Sequence, residues 1–228
     1  MGYLLPILLA VGYGFVMMRF SAWSTKRHLS ENSRPLRDPE LERHFDRMAR
    51  SLDLPHIIVN LYDVEMINGL AAPDGRIFIT RGFYEQYRQG RVSADEMASV
   101  VAHELGHVAL GHTRRRMIDF SAQNAARAAL TMIIGRFIPF VGPWIANALI
   151  SLFAARLSRE DEYEADAYAS ALLLKSGIGL AGQKSLFGKL DALTKSRAGA
   201  APAWLLSHPK SPERIAAIEA NAQKWGVA

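Results

Sequence analysis

The sequence predicts an α+β fold: a mainly helical domain with a small, mostly antiparallel sheet, preceded by an N-terminal transmembrane helix. Three observations carry this prediction. Residues 1–18 hold no charged side chain, residues 56–80 alternate apolar and polar around a Pro-Asp-Gly turn, and apolar residues recur at helical spacing from Ser93 onward. The chain has 228 residues, with 27 Lys+Arg against 22 Asp+Glu for a net charge of +5, and 50% are hydrophobic. That composition buries enough apolar surface to offset ordering entropy, which excludes a disordered chain. There is no cysteine, so disulfides, thiolate metal sites and cysteine nucleophiles are excluded, and any metal must be held by His, Asp or Glu. The basic excess is too diffuse to argue for a nucleic-acid partner.

The elements follow in order. Residues 1–18 would make about 27 Å of helix, close to the hydrocarbon thickness of a bilayer. Arg19 can snorkel to the interface and Trp23 suits an aromatic belt, so residues 1–23 are expected to be a membrane anchor in contact with lipid. No basic segment precedes the run and no convincing cleavage site follows, which favours a retained anchor over a signal peptide. Arg19, Lys26, Arg27, Arg34 and Arg37 flank it on one side; the positive-inside rule then puts the body of the chain in the cytoplasm, with the periplasm as the alternative. Residues 24–40 are polar with two prolines and are expected as a linker, and residues 41–228 as the folded domain.

Leu41, Phe45, Met48 and Leu52 predict a helix over 41–53, stopped by Pro55. Strands are expected over 56–63, 66–72 and 76–80, the last two joined through Pro73-Asp74-Gly75. Ser93 with Glu96 reads as a capping box opening a helix to about Gly111. Residues 117–156 are mostly apolar, interrupted by Arg127 and Arg136 and broken by Pro139, Gly142 and Pro143. They predict a helical hairpin that lies on or dips into the membrane, or caps the functional site, rather than two full spans, because each Arg costs roughly 2.5–3.5 kcal/mol at mid-bilayer. Its second helix continues to about Lys175, where Gly177 stops it; helices near 178–196 and from about Ser211 complete the chain.

The chemistry lies in His103-Glu104-Leu105-Gly106-His107 within the capped helix. Residues i and i+4 differ by about 40° around a helix, so both imidazoles face one point and can chelate one zinc ion. Glu104, about 100° round, is poorly placed as a ligand but can reach a metal-bound water as general base. A catalytic zinc takes three protein ligands. His112 stands a net 140° from His107 on a continued helix and is read as packing or support. The acidic run Glu160-Asp161-Glu162-Tyr163-Glu164-Ala165-Asp166 is the better source. On a helix packed antiparallel to the first, Glu162 could reach the metal, and Asp166, on the same face, could accept the free N–H of a ligand histidine. Spacing alone leaves Glu160, Glu162 and Glu164 open.

His103-Glu-Leu-Gly-His107, then Ser158-Arg159…Glu162-Tyr163-Glu164-Ala165-Asp166, then Ser207-His208-Pro209…Glu213-Arg214 resemble, in that order, the HtpX-like and CAAX-prenyl endopeptidase family of membrane zinc metallopeptidases. The resemblance implies one Zn²⁺ per chain on His103, His107 and Glu162, with Asp166 orienting a ligand and Arg159 partnering the acidic cluster. It implies that His208 and Arg214 support catalysis at the oxyanion. It also implies that Asn68, Gly69, Leu70 and Ala71 form an edge strand to which an extended substrate adds. The expected protein is a membrane-anchored zinc endopeptidase, placed in a bacterial inner membrane, that hydrolyses extended or unfolded proteins in a quality-control role, with Glu104 as base. A non-catalytic zinc-binding membrane adaptor is the alternative.

Overall fold

The computed structural model describes residues 4–72, 74–112, 115, 142–195, 208 and 212–227. In chain order the elements are α1 (Leu4–Glu31), β1 (Ser33–Pro35), α2 (Pro39–Ser51), β2 (Val59–Tyr62), β3 (Gly69–Ala71), β4 (Ile77–Thr80), α3 (Arg81–Arg88), α4 (Ala94–Ala109), α5 (Gly142–Lys175), α6 (Ala181–Lys195) and α7 (Pro212–Lys224). The fold is α+β and mostly helical, as predicted. Residues 116–141 lie outside the described set, so of the expected hairpin 117–156 only its second helix is described, as the start of α5.

Two expectations change. The sheet runs in the order β1-β2-β4-β3, with β1–β2 and β3–β4 antiparallel but β2–β4 parallel, Val59 opposite Ile77. It is therefore mixed. Residues 24–40 are not a plain linker: α1 runs on to Glu31 and β1 follows. No proline interrupts 24–31, the Arg27–Glu31 pair closes an i,i+4 turn at 2.7 Å, and Pro35 then suits an edge strand that needs no inward N–H. Among the described residues no helix is long and apolar enough to cross a membrane. The side chains of 1–11, half of the expected anchor, lie outside that set.

Local chemistry explains most boundaries. Asp38 caps α2, accepting from the N–H groups of Glu40 and Leu41 with Pro39 in the first turn. The capping box predicted at Ser93 is complete, each partner accepting from the other's backbone. β4 is buried on both sides. Ile77 and Ile79 join the main core with Phe45, Met97, Val101 and Leu173, while Phe78 packs on the opposite face with Leu29 of α1 and Ala72.

α4 is the hub, packed against α2, α5, α6 and β3. Its contacts with α5 run in opposite order along the two helices, His103 to Asp166 and His107 to Glu162, so the pair is antiparallel. Gly106 sets their distance: a Cβ there would lie 3.0 Å from the Ala165 carbonyl oxygen and 3.1 Å from its Cα. Those are backbone atoms of a packed helix and cannot swing aside. Gly106→Val is expected to lower stability by about 1–3 kcal/mol and to weaken metal retention with it. Denaturant unfolding with and without chelator checks this; wild-type stability would show that the two helices separate freely.

Candidate metal centre

His103 and His107 sit one turn apart on α4, both buried, with Nε2 atoms 3.1 Å from each other. α5 adds Glu162, also buried, with Oε2 at 3.3 Å from His103 Nε2 and Oε1 at 3.5 Å from His107 Nε2. Two ligands on a tetrahedral zinc with bonds of about 2.0–2.1 Å lie about 3.3 Å apart, so this triangle has the right size. His208, which precedes α7, brings Nδ1 to 2.8 Å from Glu162 Oε2 and 3.2 Å from His103 Nε2. Donor atoms of all four residues lie within 4.8 Å of one another. Glu104 is buried beside them. Its Oε1 has no hydrogen-bond partner, although His208 Nε2 stands 3.4 Å away. A buried carboxylate oxygen is costly to leave unsatisfied. The orphaned oxygen and the nitrogen–oxygen donor set together fit a bound zinc ion.

A further layer holds these donors in place. His103 Nδ1 donates to Asp166 Oδ1 at 2.9 Å. Arg214 grips Asp166 with Nε at 2.6 Å and Nη2 at 2.8 Å, reaches Glu162 Oε2 with Nη1 at 3.3 Å, and lies over the Phe187 ring. One guanidinium thus fixes both a donor carboxylate and the carboxylate that orients His103. Burial would push both acids up, but Arg214 and His103 hold Asp166 below its usual value, and hydrogen bonds from His103, His107 and His208 hold Glu162 well below. Both carboxylates are ionised at neutral pH.

The two histidines diverge. Burial disfavours a charged His103, but Asp166 and Glu162 raise it to about 9; burial, with His103 and His208 nearby, takes His107 down to about 3 despite Glu162. Below pH 9 a metal must therefore displace a proton from His103 but not from His107. Metal affinity is expected to rise about tenfold per pH unit as the pH climbs towards 9 and to level off above. Calorimetry at pH 7 in buffers of different ionisation enthalpy should find about one proton released per metal. A pH-independent affinity would mean that His103 is neutral from the start.

Of the remaining candidates, Arg159 and Glu160 are exposed and stand outside the buried cluster. Glu164 is exposed too, and pairs with buried His112. Asn68 precedes the edge strand β3, and Gly69, Leu70 and Ala71 form it, beside α4. The sequence reading did not single out Asp161, buried below His112 and paired with Arg115 at 3.2 Å, or Thr80. The Thr80 hydroxyl donates to the Met66 carbonyl at 2.6 Å and accepts from the Asn68 N–H at 2.9 Å, which fixes where β3 begins. An acid inside an acidic run and a threonine ending a strand carry no local signal of such contacts.

A family model described as peptidase family M48 matches residues 35–222, from the end of β1 into α7. Metalloprotease LoiP of Escherichia coli (strain K12) is 29% identical over 167 residues, 73% of this chain and 63% of its own length. Metalloprotease YcaL of the same organism is 30% identical over 154 residues, 68% and 58% respectively. A protease HtpX homolog of Salinibacter ruber (strain DSM 13855 / M31) is 30% identical over 197 residues, 79% and 67%. The matched region thus spans only 63% and 58% of the length of the two Escherichia coli relatives.

Proposed function

The chain belongs to peptidase family M48, and on that premise we propose that it is a membrane-held zinc endopeptidase acting on extended or unfolded protein segments. The observation that carries this reading is the convergence of His103, His107 and Glu162 beside a buried Glu104 whose Oε1 has no hydrogen-bond partner. Zinc bound by those three residues would polarise the scissile carbonyl and lower the pKa of its water towards 7. Glu104 takes the proton of the attacking water on Oε1 and passes it to the leaving amine. Asp166 keeps a proton on His103 Nδ1, leaving Nε2 free to bind. Arg214 acts through Asp166 and Glu162. His208, next to both Glu104 and Glu162, is the imidazole left over from metal binding and the candidate donor to an oxyanion.

The sheet edge supports the substrate class. Thr80 N–H donates to the Asn68 carbonyl and Ala72 N–H to the Arg76 carbonyl. In an antiparallel ladder that parity turns the backbone groups of Gly69 and Ala71 away from β4. A strand laid along them would be bound through its backbone, without demanding particular side chains. Membrane attachment is supported by α1, where Phe15, Val16, Phe20 and Trp23 are all more than half exposed. The flanking basic residues favour a cytoplasmic domain.

The test is digestion of an intrinsically unfolded substrate such as β-casein by detergent-purified protein. Cleavage should stop with 1,10-phenanthroline, return with zinc, and spare a tightly folded control. Fully zinc-loaded protein that leaves casein intact would replace this reading with the adaptor.

A further inference from the structure

His103 has a carboxylate on its outer nitrogen, and what backs His107 is a different device. His107 Nδ1 lies 2.9 Å from Nδ1 of His112, and His112 Nε2 lies 2.9 Å from Glu164 Oε2. His112 comes five residues after His107, where a continued helix would carry it to another face. Instead α4 stops at Ala109, and Gly111 takes a φ of +71°, a conformation glycine adopts without strain. The chain turns back, and His112 lands fully buried behind His107.

We propose that His112 and Glu164 form a positioning relay that fixes the tautomer and ring orientation of His107, a role that rests on His107 being a metal ligand. The proton positions follow from one constraint. If Nε2 of His107 binds the metal, its proton sits on Nδ1 and is donated to Nδ1 of His112. That nitrogen must then be bare, so His112 carries its own proton on Nε2 and donates it to Glu164. Every donor meets an acceptor along the chain, and the exposed Glu164 carboxylate closes it at the surface. The same three residues, His112, Asp161 and Glu164, have donor atoms close enough to suggest a second metal. Two observations count against that: Arg115 already pairs with Asp161 Oδ1 at 3.2 Å, and His112 Nε2 stands 2.9 Å from Glu164 Oε2, a direct hydrogen-bond distance shorter than the separation of two ligands on one zinc. The two ligand histidines are thus backed unequally, His103 by an ionised carboxylate gripped by an arginine, His107 by a neutral imidazole with a carboxylate one step further out.

The test is zinc affinity, by competition with a chelator of known affinity at one fixed pH, with thermal unfolding of the metal-free proteins alongside. His112→Leu is expected to bind zinc about 10–100-fold more weakly. His112→Asn should recover part of that loss, since its carbonyl oxygen can accept from His107 where Nδ1 did. Glu164→Ala, on an exposed side chain, should leave metal-free unfolding unchanged and still weaken zinc by several fold. Wild-type affinity in Glu164→Ala and His112→Leu would reduce His112 to packing and overturn the relay. So would a second equivalent of zinc in the wild type that Glu164→Ala removes. Zinc retained by His107→Ala would refute the ligand assignment itself, a result separable from the other two.

Discussion

Glu104→Gln is expected to lower kcat/KM on casein by about 10²–10⁴-fold while zinc stays at one per chain. Glutamine keeps the size of the side chain and removes its capacity to take a proton. The three proposed zinc ligands are His103, His107 and Glu162, so nothing in the change should release the metal. Stability is expected to move the other way. Glu104 is buried, its Oε1 has no hydrogen bond and the nearest cation-capable group is His208 at 3.4 Å, so neutralising this carboxylate removes a desolvation cost that is poorly offset. The metal-free variant should therefore unfold at the same or a higher temperature than the wild type. Turnover at the wild-type rate would place the base elsewhere.

Glu162→Ala is expected to remove the metal altogether, from about one equivalent to near zero by elemental analysis, and activity with it. His103 and His107 alone fall short of the three protein ligands of a catalytic site, and His208, whose Nδ1 lies 2.8 Å from Glu162 Oε2, loses the partner that holds it near them. The loss extends beyond one donor, because Glu162 also gathers His208 and one arm of Arg214. Glu160→Ala makes the matched control, since Glu160 is exposed on the same helix, and it should keep its zinc. A metal-free Glu160→Ala beside a loaded Glu162→Ala would exchange their roles.

Much of the centre was legible because its chemistry is local. Two histidines four apart on a helix, a glutamate between them and a capping box that starts the helix need nothing beyond a few residues of context. Glu162 was narrowed less by spacing than by resemblance, since choosing among three acids requires knowing which face of α5 meets α4, and that is set by the close approach at Gly106. The parallel β2–β4 pairing was not legible, because β3 intervenes in sequence and only tertiary packing decides which strand β4 joins. α3 was missed: eight residues after a buried strand give too short a window for periodicity, although Arg81–Glu85 and the Phe83/Tyr87 spacing are its traces. His112 shows the limit of helical-wheel reasoning. The rotation was right for a helix that goes on, and Gly111 ends it.

The docking of α1 turns a question of attachment into one of gearing. Leu29 is buried against Ala72 and Phe78, Arg76 bonds the Ser30 hydroxyl and the Lys26 carbonyl, and His28 meets the Tyr62 hydroxyl. The strand edge beside the metal donors is therefore clamped to the same rod that continues towards residue 4. Whatever holds the far end of that rod also sets the azimuth and reach of the strand edge. On a helix each residue is worth about 100° and 1.5 Å. If that end is held, the length of α1 acts as a phase setting, choosing which way the strand edge faces, where a slack tether would let the domain sample every direction.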